Sequence, residues 1–399
     1  MKKNKTAELF LVLLILTVMS VGVFILQNGM EKLQNVKQQS VYVPETRDLY
    51  NNYGLKNDQS LSKTKILETQ DQVIYTDRIF KINQISEDQI SYAADIMKAL
   101  QEKSGKDAYI MPIPERAVFE SGYENEKEKY NNFTEKLESS FADPSVVLNP
   151  LSELEKHQSE YLYFRTKNSW TMRGAFYGAQ VIFEELGYDK ENLNAYREYV
   201  FGVFDGNLLL EASEKYTADE IKKDITDMER DPFYIYINGL NPNCEELTFE
   251  NKEGQKQTLK RQMIQFNSSG NRAVIGTDYE HSIVEGRGKG QRKGNLLLIA
   301  DTRGKMMISY LSEVFEKVYV SNIYEDADLI QNLDEILEKY NIEYIVWAQD
   351  VAETGNMSHM MALNPLLKEG GMSDVGTDPS DFAAFFLKND NIISLLLFH

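Results

Sequence analysis

Sulfur and imidazole are both scarce in this chain. One cysteine, Cys244, among 399 residues leaves no disulfide framework and no thiolate-based zinc site. The four histidines, His157, His281, His359 and His399, stand at no metal-ligand spacing, so neither a metal nor a cofactor is expected. Positive charge is short as well: 43 Lys and Arg against 62 Asp and Glu leave a net charge of -19. Neutralising phosphates takes clustered basic residues, which argues against nucleic acid as a partner. The one basic glycine-rich stretch, GRGKGQRKG at 286–294, precedes a strand instead of linking a strand to a helix, so it reads as a surface loop, not a phosphate cradle. The remainder is ordinary globular composition, 42% hydrophobic and 26% charged, enough for one large core or two smaller ones.

The N-terminus carries a more specific signal. Lys2, Lys3 and Lys5 precede residues 9–26, an uncharged apolar run. At ~1.5 Å per residue such a run approaches the ~30 Å hydrocarbon core of a bilayer. Basic charge ahead of it and a long acidic remainder behind it place the N-terminus inside the cell membrane and the rest outside. Small residues are few where a signal peptidase would cut, around 23–28, so 1–28 reads as an uncleaved signal anchor. Residues 29–70, rich in Gln, Asn, Lys and Ser, follow as a polar stalk, and 71–399 form the folded, extracytoplasmic domain.

Within that domain, strands alternate with helices, which predicts an α/β sheet. A strand is expected over 73–82, a helix over 86–102 with Ser86 as its N-cap, and a strand over 107–113. Helices follow at 124–141 and 171–186, a strand-to-helix passage at 145–156 and a strand end at 161–164. Short strands are expected at 232–237, 247–249 and 262–266. The stretch 295–315, NLLLIADTRGKMMISYLSEVF, reads as a buried strand, a tight turn at 301–304 and a helix. Beyond it come strands at 317–323 and 342–347, a helix at 327–340 and terminal strands at 382–387 and 392–398. Ligands and nucleophiles gather at the carboxyl ends of such strands, so Thr302 is the leading candidate for chemistry. The polar turn 166–170 stands in an equivalent place between an apolar segment and a helix.

The chain resembles the DHHW family of SGNH-hydrolase-like proteins, relatives of the periplasmic proteins that acetylate alginate. The resemblance rests on YFRTKNSWTMRGA at 163–175, which matches the family's D-x-H-W-T turn, and on LLLIADTRGK at 296–305, which matches its later G-D-S turn. It implies a three-layer α/β/α fold with a mainly parallel sheet, here preceded by a transmembrane helix. It also implies extracellular polysaccharide and a membrane-bound O-acyltransferase as partners.

The departures from the pattern decide the functional reading. The family's acid and base fall on Lys167 and Ser169, and its serine nucleophile on Thr302. Acyl transfer by this route needs a hydroxyl deprotonated by an imidazole that a carboxylate orients. Serine at 169 is no base near neutral pH, Lys167 reverses the expected charge, and the Thr302 methyl crowds the attack. Lys167 with a lowered pKa is one substitute base for Thr302. His359 is another, at the Asp-x-x-His spacing of many SGNH hydrolases with Asn356 in the carboxylate's place. Trp170 is either a sugar-stacking surface or a buried indole pinning its loop. Arg303 and Arg173 would hold an anionic sugar or phosphate, or simply face water. The expectation is a catalytically degenerate accessory or glycan-binding component of exopolysaccharide or cell-wall polymer O-acetylation. The alternatives are an O-acetyltransferase or acetylesterase with Thr302 as a non-standard nucleophile, or a structural surface protein.

Overall fold

Residues 295–300 are apolar at nearly every position and buried at all of them, because the strand they form is covered on both faces. Everything else is arranged about it. The computed structural model describes residues 61–82, 85–238, 243–250, 255–264, 274, 279–288 and 294–369. The expected anchor, most of the expected stalk and the terminal strands expected at 382–398 lie outside these residues. Among the described residues no helix is long and apolar enough to cross a membrane.

The described chain begins with a small antiparallel sheet of β1 (Lys65–Glu68), β2 (Gln72–Tyr75) and β3 (Ile79–Lys81). Helix α1 (Glu87–Ser104) leads into β4 (Asp107–Ile113), and α2 (Glu124–Ser139), α3 (Leu151–Lys156) and α4 (Met172–Glu185) follow. Strand β5 (Arg197–Phe204), helices α5 (Asn207–Lys215) and α6 (Asp219–Thr226), and strand β6 (Asp231–Ile237) come next, β5 and β6 pairing as a ribbon. Strands β7 (Asn243–Glu250), β8 (Lys256–Gln262) and β9 (His281–Glu285) precede β10 (Asn295–Ala300), whose turn opens α7 (Thr302–Lys305) and α8 (Ile308–Val314). Then come β11 (Lys317–Asn322), α9 (Leu333–Lys339), β12 (Ile342–Asp350) and α10 (Pro365–Glu369).

The central sheet runs β4-β12-β10-β11-β9-β7-β8. Its first four strands are parallel, and each neighbour pair from β11 onward is antiparallel. The sheet is therefore mixed, which corrects the expectation of a mainly parallel one. The polar, exposed β8 and the short β9 carry too little alternation or apolar length to announce themselves. Side chains alternate across β10 in the two-residue period of a strand. Leu296, Leu298 and Ala300 pack with α4 and α8 residues such as Met172, Ala175 and Leu311. Leu297 and Ile299 pack with α1 and α2 residues such as Met97 and Phe133.

Local differences from expectation have local causes. The single strand expected at 73–82 is a hairpin, because Thr76 and Asp77 break the apolar run. Its first partner, β1, falls within the stretch read as stalk. Segment 161–164 makes an isolated bridge, Tyr163 to Trp170, instead of a strand end. The strand part of the passage expected at 145–156 is a short 3-10 turn at Pro144–Val146 followed by one bridge, Val147 to Ile110, and its helix is α3. The helix expected over 327–340 is confined to α9.

Candidate functional site

The carboxyl ends of β4, β12, β10 and β11 lie along one edge of the sheet, and four polar residues emerge there. Glu115 follows β4, Asp350 ends β12, Asp301 follows β10 and Tyr324 follows β11. Asp301 is the N-cap of α7, its Oδ1 accepting from the Gly304 N–H at 2.9 Å, so Thr302 is the first residue of the helix and not its cap. Asp301 Oδ2 also accepts from the Asp350 N–H at 3.2 Å, which ties the turn to β12. Gly304 is required by this approach: a Cβ there would stand 2.6 Å from the Ala348 carbonyl oxygen.

Arg303 is the centre of the arrangement, and it is buried. Its Nη1 pairs with Asp350 and lies 3.5 Å from Asp301 Oδ2, while Nη2 lies 3.4 Å from Glu115 Oε1. Three carboxylates thus surround one guanidinium in a dry setting. Burial pushes the Asp301 and Glu115 carboxyls up, and Arg303 acts against that rise at both.

The two motif turns meet at this arginine. Arg303 Nε donates to the Asn168 carbonyl at 3.1 Å, and the Trp170 indole N–H donates to the Arg303 carbonyl at 2.9 Å. Asn168 Nδ2 reaches Glu115 Oε1 at 3.0 Å. The 165–171 loop is held from behind by Asp231, whose carboxylate accepts from the Tyr161 hydroxyl, the Thr166 hydroxyl and the backbone N–H groups of Arg165 and Thr166.

Each residue singled out in the sequence has a definite place. Ser169 is buried, donating from its hydroxyl to the Trp170 carbonyl at 3.1 Å, with Met306 Sδ at 3.7 Å. Lys167 is half-buried on the same loop, and its carbonyl accepts from the Ser169 N–H. Thr302 is half-buried, and its hydroxyl has no hydrogen-bond partner among the described residues. Trp170 is 0% exposed, which leaves no ring face for a sugar. Arg173, at the start of α4, spends its donors on Glu160, Glu198 and the Tyr236 hydroxyl.

His359 sits on the loop after β12 with a carboxylate that its sequence spacing does not announce. Its Nδ1 pairs with Glu353, and Asn356, expected in the carboxylate's place, caps the local turn through its side chain. Glu353 raises the imidazole pKa. Against the cost of burial, His359 and more weakly Arg303 hold the Glu353 carboxyl below its usual range. The His359 ring stands edge-on to Tyr324, centroids 6.2 Å apart. A cavity of about 400 Å³, walled by Arg116, Phe119, Glu120, Gln158 and Tyr163 among others, opens beside the segment that carries Glu115. Neither Ser169 nor Thr302 lines it.

This convergence of the two turns on a sheet edge agrees with a family model for DHHW proteins, which matches residues 51–321. The chain belongs to the DHHW family. The solved structure of a DHHW family protein from Eubacterium siraeum is similar at 18% identity and a TM-score of 0.58, covering 73% of this chain and 95% of that one. Bacillus cereus PatB1, solved with a sulfonyl adduct, is similar at 13% identity and a TM-score of 0.52, covering 73% and 96%. The O-acetyltransferase domain of Pseudomonas putida AlgJ follows at 10% identity and a TM-score of 0.41, covering 73% and 92%. No curated protein matches the chain. In this chain the two turns meet at Arg303, whose carbonyl accepts from the Trp170 indole and whose Nε donates to the Asn168 carbonyl, beside an arginine-centred charge cluster.

Proposed function

We propose that this chain is a catalytically degenerate DHHW protein, anchored in the cell membrane by residues 9–26. Its extracytoplasmic domain would serve as an accessory or glycan-binding component in O-acetylation of an exopolysaccharide or cell-wall polymer, beside a membrane-bound O-acyltransferase. The observation that carries this reading is Ser169. Where the family resemblance places an imidazole, a buried hydroxyl donates to a backbone carbonyl and leans on Met306. An alcohol so placed takes no proton from Thr302 at neutral pH. Glycan binding has a place in the cavity beside Glu115, whose Phe119 ring and Gln158 amide are of the kind that receive sugars.

The full chain, purified in detergent and treated with an activated acetyl ester, is expected to give no acetyl-enzyme by mass spectrometry. Thr302→Ala should leave the residual rate unchanged. A Thr302-dependent burst would overturn the reading. Binding of an acidic or neutral exopolysaccharide should weaken in Phe119→Ala and survive in Thr302→Ala; no affinity for any polymer would favour a purely structural role.

One observation favours a second reading, an active O-acetyltransferase or acetylesterase using Thr302. The Glu353–His359 pair stands beside Tyr324, on the loop after the strand that neighbours β10. A carboxylate-held imidazole is what a hydroxyl nucleophile needs. Loss of acetyl transfer in both Thr302→Ala and His359→Ala would establish that reading in place of the first.

A further inference from the structure

The cavity beside Glu115 divides its side chains by charge: the buried charges of its wall are committed to partners, and the groups left free are neutral apart from one exposed lysine. Glu120 is buried there between two arginines, its Oε1 accepting from Arg116 Nε at 2.7 Å and its Oε2 from Arg78 Nη2 at 2.9 Å. Against the cost of burial, Arg116 and Arg78 hold the Glu120 carboxyl below its usual range, so it remains their counter-charge. Arg78 Nη1 also donates to the Ser62 carbonyl and to Asp77 Oδ1, each at 2.7 Å. Arg116 Nη1 reaches the Tyr163 and Phe164 carbonyls at 3.2 and 3.3 Å. Two guanidiniums facing two carboxylates leave the buried wall with no net charge to offer an anion.

The free groups are of another kind. Ser121, Gln158 and Ser159 line the cavity from exposed positions, and their side chains have no hydrogen-bond partner among the described residues. Hydroxyls and an amide both donate and accept, as the hydroxyl and acetamido groups of a sugar do. Phe119, half-buried in the same wall, adds an apolar face. Lys63 is the one lining charge without an ion pair among the described residues, and it is exposed, so its hold on an anion is weak. A carboxylate brought here would lose water without gaining a buried cation, and it would approach a chain of net charge -19. On the reading that this cavity receives a glycan, which the inference requires, we propose that it selects uncharged sugars, hexoses or N-acetylhexosamines, over uronic acids. Gln158, Ser121 and Ser159 hydrogen-bond the hydroxyl or acetamido groups, and Phe119 packs on the sugar ring.

The probes are cellotetraose and tetra-N-acetylchitotetraose, both neutral, and tetragalacturonate, which is fully ionised at neutral pH. Titration of the full chain in detergent at low salt, followed by calorimetry or NMR, is expected to show saturable binding of at least one neutral probe. That probe should bind at least about tenfold more tightly than tetragalacturonate, which has no buried cation to meet it. Gln158→Ala, at an exposed position where folding is not at stake, should weaken the neutral probe about threefold to tenfold, the loss of one hydrogen bond. Equal or tighter binding of tetragalacturonate would overturn the proposal. So would an unchanged neutral affinity in the variant combining Ser121→Ala, Gln158→Ala and Ser159→Ala. Binding of the acidic probe alone leaves the glycan reading standing and removes the selectivity, whereas binding of no tetrasaccharide removes both.

Discussion

The turn after β10 and the loop after β12 end neighbouring strands of one sheet, yet their chemistry is divided. At Asp301–Gly304 there is a half-buried hydroxyl, on Thr302, next in sequence to a buried charge cluster whose guanidinium is held by Asp301, Asp350 and Glu115. At 353–359 there is an imidazole held by a carboxylate, half-exposed to solvent. One place has a hydroxyl and no imidazole; the other has an imidazole and the carboxylate that holds it. The family resemblance leads one to expect a hydroxyl and an imidazole on the two motif turns, whereas here the imidazole of His359 lies on a third loop. The first place is a buried charge cluster tied by hydrogen bonds; the second is a partly exposed ion pair.

The largest expected effect tests the rigidity of the first. Arg303→Met removes the guanidinium that Asp301, Asp350 and Glu115 share, leaving buried carboxylates without it. Breaking a buried ion cluster from one side costs about 3–5 kcal/mol, which denaturant unfolding would read as a shifted midpoint. A loss below about 1 kcal/mol would mean that the cluster is solvated and that the turn is free to rearrange for chemistry. Gly304→Ala should cost about 1–3 kcal/mol, because the added methyl meets the Ala348 carbonyl and the Ala300 side chain. Trp170→Phe comes next, at about 1–2 kcal/mol, since it leaves the Arg303 carbonyl without its indole donor.

The unequal visibility of these two places in the sequence has a physical basis. Strand β10 and the turn after it stand out because four consecutive large apolar residues followed by Asp-Thr-Arg-Gly have few other interpretations. The meeting of that turn with 165–171 follows from the resemblance, and Trp170 to Arg303 is the contact that realises it. The partners of Arg303 were not legible. Glu115 lies 188 positions away and looks like any acidic residue after a Pro-flanked strand, while Asp350 ends a strand whose apolar pattern stops at Trp347. The available signal was positional: both stand at carboxyl ends of parallel strands, where a lone buried arginine would look for acids. Glu353 carries no such mark, because the family spacing points to Asn356 and a six-residue separation becomes a contact only when the chain doubles back through the 357–359 turn.

The smallest effect tests whether the two loops are chemically separate. His359 is raised above its usual 6.5 by Glu353, so its contribution to stability is complete below pH 6.5 and is lost as pH rises through the folded-state value. Glu353 is held below its usual 4.5, so its contribution is complete above pH 4.5 and is lost as pH falls through its own folded-state value. The pair therefore supports the fold most between these limits, by less than about 1 kcal/mol because both side chains are partly solvated. Glu353→Gln should return the His359 titration, followed by its ring proton resonances, toward the usual value and flatten this window. Thr302→Ala sharpens the division. If the hydroxyl and the imidazole are independent, that substitution leaves the His359 titration where it was. If His359 instead accepts a hydrogen bond from Thr302 in solution, losing the hydroxyl moves the imidazole pKa, and the nucleophile and its base are reunited across the sheet edge.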